Sequence, residues 1–154
     1  MGVYQLHTSQ FLPTSLEEAW TFISNPSNLK NITPETMGFE VVSEGLPEKM
    51  YPGMMITYSV KPLLGIKTTW VTEITHIREM KYFVDEQRVG PYSLWHHEHH
   101  LEPAEGGVLM RDIVTYKPPL GVLGRIANRL IIRKKLREIF QFREHALVTI
   151  FPGK

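Results

Sequence analysis

Leu94-Trp-His-His-Glu-His-His-Leu-Glu-Pro103 packs four histidines and a glutamate into five consecutive residues, 96–100. Read as composition, it is a metal-binding tract. Read as an extended strand, it divides in two, because successive side chains point to opposite faces. Trp95, His97, His99 and Leu101 share one face. His96, Glu98, His100 and Glu102 share the other. The first set is bracketed by apolar residues and turns inward; the second runs out into acid and turns to solvent.

Working outward, the same punctuation recurs. Downstream, a turn at 103–107 leads to a strand over 108–117, stopped by Pro118-Pro119. Upstream lie strands over 81–89, closed by Gly90-Pro91, and 68–78, with Trp70, Thr72, Ile74 and His76 on one face. Strands over 54–61 and 40–44 come before them, separated by a turn-rich link at 45–53. Short strands joined by short turns predict an antiparallel meander. The N-terminus adds a strand over 3–12. A helix follows, opened by a capping box of Ser15 and Glu18, with Leu16, Ala19, Trp20 and Ile23 on its apolar face. Asn25-Pro26 breaks it, and a second short helix covers about 27–32.

The tail, 120–150, predicts one long helix. Apolar residues recur at 123, 126, 127 and 130, and again at 132, 136, 139, 140, 147 and 150. At roughly 1.5 Å per residue it makes a rod of about 40 Å. It is the one element long enough to cover the inner face of the sheet.

Bulk properties narrow the classes. The 154 residues are 42% hydrophobic and 21% charged, which predicts a single globular domain over 1–154. The chain has no cysteine, so disulfides, thiolate nucleophiles and cysteine-based zinc sites are excluded. No secretory signal and no bilayer-length apolar run is visible, and a cytoplasmic protein is expected. Net charge is +1, but 120–145 carries seven Lys and Arg against two acids. Arg125, Arg129, Arg133 and Arg137 form a drifting stripe there, which reads as a solvated face or an attraction to anionic lipid. No motif accompanies it that predicts nucleic-acid binding.

The order of strand, two short helices, six strands and one long helix resembles the helix-grip fold of the START-related polyketide cyclase/dehydrase superfamily (SRPBCC). The resemblance covers essentially the whole chain. Its sharpest matches are to a bacterial ligand-binding branch. They are Trp70 leading its strand, Phe83…Gln87…Gly90-Pro91, Trp95-x-His97-x-His99-x-Leu101-Glu-Pro103, and Asp112-x-Val114-x-Tyr116-x-Pro118-x-Leu120-Gly121. Leu101 stands where phenylalanine is expected. The resemblance implies an α+β architecture: a curved antiparallel sheet of about seven strands wrapped round the C-terminal helix, with a cavity between them.

Facing parity then supplies the cavity wall. Trp70, Thr72 and Ile74 form one set; Phe83, Asp85 and Gln87 a second; Met110, Asp112, Val114 and Tyr116 a third. If the turn sets Leu101 opposite Val108, His97 faces Asp112, which would orient the imidazole and raise its pKa against the effect of burial. Candidate ligand-binding residues are therefore Trp70, Thr72, Phe83, Gln87, Trp95, His97, His99, Asp112 and Tyr116. The outer histidines sit about 7 Å apart per step along the strand and make a poor metal set, so no metal or cofactor is expected.

Two functions remain open. One is binding or transport of a small hydrophobic molecule: a lipid, a quinone or an aromatic polyketide-like compound. The other is an enzyme of cyclase, dehydratase or hydrolase type using His97 and Asp112 as general acid/base. Meander parity gathers three apolar turns at one end. Through Leu63, Leu64, Tyr92, Leu120 and Val122 that end could touch a membrane.

Overall fold

A computed structural model describes residues 2–62 and 65–153. The elements run β1 (Tyr4–Leu12), α1 (Leu16–Ile23), two short 3-10 helices (Pro26–Ile32 and Glu35–Met37) and β2 (Glu40–Val41). β3 (Met55–Val60), β4 (Thr68–Arg78), β5 (Tyr82–Val89), β6 (Leu94–Ala104) and β7 (Gly107–Lys117) follow. The chain ends in α2 (Gly121–Ala127), a π-helical turn (Asn128–Ile132) and α3 (Arg133–Ile150). Among the described residues the strands form one antiparallel sheet in the order β1-β7-β6-β5-β4-β3-β2. Among the described residues no helix is long and apolar enough to cross a membrane.

The opening of α1 forms as its sequence dictates. Ser15 Oγ accepts the Glu18 N–H at 3.1 Å, and Glu18 Oε2 reaches back to the Ser15 N–H at 3.4 Å. The helix buries Ala19, Trp20 and Ile23. These join Leu12, Ile56, Tyr58, Ile74, Phe83, Leu101, Met110 and Leu147 in the larger core cluster. A second cluster, of Val114, Tyr116, Ile132, Leu136 and Phe140, seals the other end of the sheet against the C-terminal helix.

Four expectations need correction. The β6–β7 turn is tighter than 103–107: both strands extend until Ala104 pairs with Gly107, leaving Glu105-Gly106 as a two-residue loop. The left-handed Gly106 (φ 76°) permits it. The register therefore differs by two residues. Leu101 faces Met110, His99 faces Asp112, His97 faces Val114 and Trp95 faces Tyr116. A shift of two preserves parity, so every side chain keeps its face. In β4, a register break between Ile74 and His76 reverses the alternation beyond it. His76 is exposed, and Ile77 packs against the core instead. β2 is shorter than 40–44, because the N–H groups of Val42 and Ser43 both converge on the Thr57 carbonyl, at 2.8 and 3.3 Å.

The fourth correction concerns the long helix. It is continuous, but its π-helical turn shifts the phase of the stripe that meets the sheet. Its buried positions become Gly124, Asn128, Ile132, Leu136, Phe140, Arg143 and Leu147. Gly124 lies so close to the Pro119 carbonyl that a Cβ there would sit 1.8 Å from the oxygen. Asn128 accepts a hydrogen bond from the Tyr116 hydroxyl at 3.0 Å. The apolar side chains at 122, 123, 126, 130 and 131 are left exposed.

Candidate ligand-binding site

Between the sheet and the C-terminal helix lies a cavity of about 170 Å³, lined by members of both core clusters. Its wall is mostly apolar and aromatic: Phe22, Phe39, Tyr58, Trp70, Phe83, Tyr92, Trp95 and Phe140 all contribute. The rings meet edge to face or tilted. Trp70 lies 5.1 Å from Trp95 and 5.8 Å from Tyr92, both T-shaped. Burial raises the pKa of the Tyr58 and Tyr92 hydroxyls, so both stay protonated.

A buried polar cluster interrupts this wall. His97 and His99 project inward from β6, Asp112 from β7, Asp85 from β5 and Arg143 from α3. The imidazoles lie 3.7 Å apart between ring centroids. His99 also stacks on Phe83 at 4.1 Å, and His97 meets Phe140 edge-on at 5.5 Å. Asp112 Oδ1 stands 2.9 Å from His97 Nε2, 3.0 Å from His99 Nδ1 and 3.2 Å from Arg143 Nη2. The guanidinium is also 3.2 Å from His99 Nδ1. Asp85 Oδ2 is 2.7 Å from His99 Nε2 and 3.6 Å from His97 Nδ1.

These distances fix the charges. Burial alone would raise the Asp112 pKa, but Arg143 and the hydrogen bonds from both imidazoles hold it well below the ordinary carboxylate range. Asp85 is lowered for the same kind of reason: burial is the largest single effect and raises it, but the His99 hydrogen bond and the charges of His97, His99 and Arg143 together prevail. Two ionised carboxylates have no proton to give, so His97 Nε2 donates to Asp112 and His99 Nε2 donates to Asp85. Burial also opposes the charged form of His99, yet its contacts with both carboxylates prevail and raise its pKa. His97 moves the other way. Burial and the neighbouring His99 charge depress it, and Asp112 does not restore it. The expected upward pull of Asp112 on His97 is present, but it does not win.

The structure brings Trp70, Thr72, Phe83, Trp95, His97 and His99 together on the cavity wall. Asp112 stands behind the imidazoles and lines a small cleft of about 20 Å³ with Thr8, Gln10 and Arg143. His97 reaches it as a diagonal neighbour, and His99 is the residue directly opposite. Gln87 and Tyr116 are not on the wall. Gln87 spans the β5–β6 turn, donating to the Tyr92 carbonyl at 2.7 Å and accepting its N–H at 3.2 Å. Tyr116 spends its hydroxyl on Asn128. Tyr92 packs inward against Trp70, Trp95 and Tyr116, so it offers nothing to a membrane. Leu63 and Leu64 lie outside the described residues.

Of this cluster, the sequence did not single out Arg143, and it placed Asp85 on the cavity wall without counting it among the ligand-binding candidates. Asp85 shared its face with Phe83, but its value depends on pairing opposite His97 across β5 and β6. Arg143 looked like one of seven basic residues. Its signal is periodicity, for it occupies the helix stripe between Phe140 and Leu147. The outer histidines are half-buried rather than plainly solvated. His96 meets Glu86 at 2.7 Å, and His100 meets Glu98 at 2.9 Å.

No protein-family model matches the chain, and no curated protein matches it in sequence. Solved structures do match in shape. Protein CV1439 from Chromobacterium violaceum superposes with a TM-score of 0.71 at 13% identity, over 100% of both chains. Protein TTHA0849 from Thermus thermophilus gives 0.68 at 13% identity, over 96% of this chain and 99% of that one. Ara h 8.0201 gives 0.60 at 17% identity, over 96% and 99%. With the sheet and the terminal helix, these likenesses show that the chain has a helix-grip fold.

Proposed function

We propose that this protein binds a small, largely apolar molecule in the cavity between sheet and C-terminal helix. The ligand carries an oxygen that accepts hydrogen bonds. The observation that carries this reading is the contrast within the wall. Aromatic and aliphatic residues surround one buried polar cluster, which brings Asp85, His97, His99 and the guanidinium of Arg143 to the cavity lining. A guanidinium only donates, so an oxygen that accepts is the complementary group on a ligand.

Volume sets the size. At about 170 Å³ the cavity is comparable to one that holds a single aromatic ring. A long acyl chain or a multi-ring polyketide needs a site of roughly 300 Å³ or more. The lipid and polyketide expectations therefore give way to a one-ring compound.

Trp70 and Trp95 line the cavity, so their fluorescence reports occupancy. Phenol, benzoate and toluene test the reading. Saturable quenching by the oxygenated rings, with weaker binding of toluene, supports it. Absence of saturable binding by all three refutes it. Native mass spectrometry of protein from its own host would then identify the bound compound. Turnover of that compound, lost in His97→Ala while binding persists, would replace the carrier reading with the catalytic one.

Peripheral contact with an anionic membrane is favoured by a separate observation. Leu120 is 76% exposed and left-handed (φ 64°), a conformation glycine adopts at lower cost. Val122, Leu123, Ile126, Leu130 and Ile131 extend the same exposed surface, and Arg125, Arg129 and Arg133 are interleaved with them. Apolar side chains among arginines match an anionic lipid surface. Sedimentation with vesicles of phosphatidylglycerol, lost in Leu123→Asp/Ile126→Asp, is the expected result. Equal sedimentation of both proteins would refute it.

A further inference from the structure

We propose that Asp85, His97 and His99 form a binding site for a divalent first-row transition metal, with its open coordination positions facing the cavity. This goes beyond the hydrophobic-ligand reading and does not depend on it.

The geometry carries the inference. One oxygen, Asp112 Oδ1, accepts from His97 Nε2 at 2.9 Å and lies 3.0 Å from His99 Nδ1, which also faces Arg143 Nη2 at 3.2 Å. Each imidazole turns its opposite nitrogen to Asp85: His97 Nδ1 stands 3.6 Å from Oδ2 as a lone pair, and His99 Nε2 donates to it at 2.7 Å through a proton that a metal would displace. The three ligand atoms lie within 4.8 Å of one another. Bonds of about 2.0–2.1 Å in a tetrahedral site put ligand atoms roughly 3.3 Å apart, between the two separations from Asp85 Oδ2. At 3.6 Å, His97 Nδ1 is too far from that oxygen for a good hydrogen bond. Two lone-pair donors thus face each other across a gap that suits a cation.

The surroundings match what metal sites require. A ligating histidine donates its other N–H to a carboxylate, which fixes the tautomer and the ring. Here one carboxylate serves both rings, and Arg143 holds it from behind. Two histidines and one carboxylate with remaining positions open suit zinc in its catalytic mode or non-haem iron(II). All three ligands line the cavity, whereas Asp112 does not. With neutral imidazoles, Asp85, Asp112 and Arg143 leave the cluster at −1. A dication brings it to +1, which an oxyanion from the cavity side neutralises: hydroxide, carboxylate or phenolate. The three ligands come from two adjacent strands, β5 and β6, and parity along β6 delivers His97 and His99 to one face. The inward half of the histidine tract becomes the metal set. The outer half, half-buried against Glu86 and Glu98, is a built-in control.

The test uses chelator-stripped full-length protein purified without a histidine tag, with zinc(II) and cobalt(II) alone as probes. Titration calorimetry should give one site in the wild type and an unchanged affinity in His96→Gln/His100→Gln. Asp85→Asn should lower affinity by at least 100-fold. Asp112→Asn, which removes only the positioning carboxylate, should lower it about 10–100-fold. Imidazole 15N spectra of the wild type require no variant: zinc should shift His97 and His99 and leave His96 and His100 in place. The proposal is overturned if the wild type shows no saturable binding. It is equally overturned if the outer double variant abolishes binding while Asp85→Asn retains it, or if zinc moves only the outer pair.

Discussion

Replacing Arg143 with methionine keeps most of the volume of the side chain and removes the buried positive charge behind the imidazoles. Arg143 and Asp112 expose only 8% and 7% of their side chains, with Nη2 3.2 Å from Oδ1. At an effective dielectric of about 20, unit charges at that distance attract by roughly 5 kcal/mol. Mutations that remove one partner of a buried pair typically cost about 3–5 kcal/mol. His97 offsets part of this, since it takes up a proton more readily once the guanidinium is gone. The expected loss is therefore about 3 kcal/mol, or roughly 6–12 °C in melting temperature for a chain of this size. Urea and thermal denaturation at neutral pH with chelator present measure it. The double variant Arg143→Met/Asp112→Asn should cost about 1–3 kcal/mol less than the two single changes added together, because the carboxylate left stranded is then neutral. A single-variant loss under about 1 kcal/mol, or simple additivity, would refute the claim that Arg143 is the counter-charge of this cluster.

Other consequences are equally direct. Tyr116→Phe strands the buried Asn128 amide and should cost about 1–3 kcal/mol by urea denaturation; an unchanged midpoint would show that the helix start does not lean on this bond. Gly124→Ala forces a Cβ onto the Pro119 carbonyl, so the start of α2 must move away from Pro119. A loss of roughly 1–3 kcal/mol is expected, and hydrogen exchange should rise in α2 before α3; protection equal to wild type would refute it. In the metal-free protein, stability should peak near the ordinary histidine pKa of 6.5. His99 is raised, so its contribution is complete below 6.5 and is lost as pH climbs through its folded value. His97 is depressed, so the unfolded chain gains protons relative to the fold as pH drops below 6.5. Asp85 and Asp112 add a second acid loss, beginning below their ordinary value of 3.8. Urea midpoints that rise steadily from pH 6 to 9 would contradict this assignment of the two histidines.

Much of the site was legible along one strand. Period-two alternation separated His97 and His99 from His96 and His100, because parity is a local property of an extended chain. It survived a register error of two residues for the same reason. The fold class was legible too, since turn residues mark each strand end and apolar spacing marks the terminal helix. Three things belonged to the tertiary structure. The two-residue loop at Glu105-Gly106, chosen over a longer one, decided that Asp112 stands opposite His99 and diagonal to His97. Pairing of β5 with β6 brought Asp85 to the histidines, and nothing local to residue 85 encodes that neighbour. The π-helical turn at Asn128–Ile132 decided which side of the helix meets the sheet. It turned apolar residues out, and the α3 stripe beyond it carries Arg143 in. The sequence determined faces, because a side chain's direction follows from its own backbone. Only the fold decided partners, because a buried charge is defined by what distant segments place beside it.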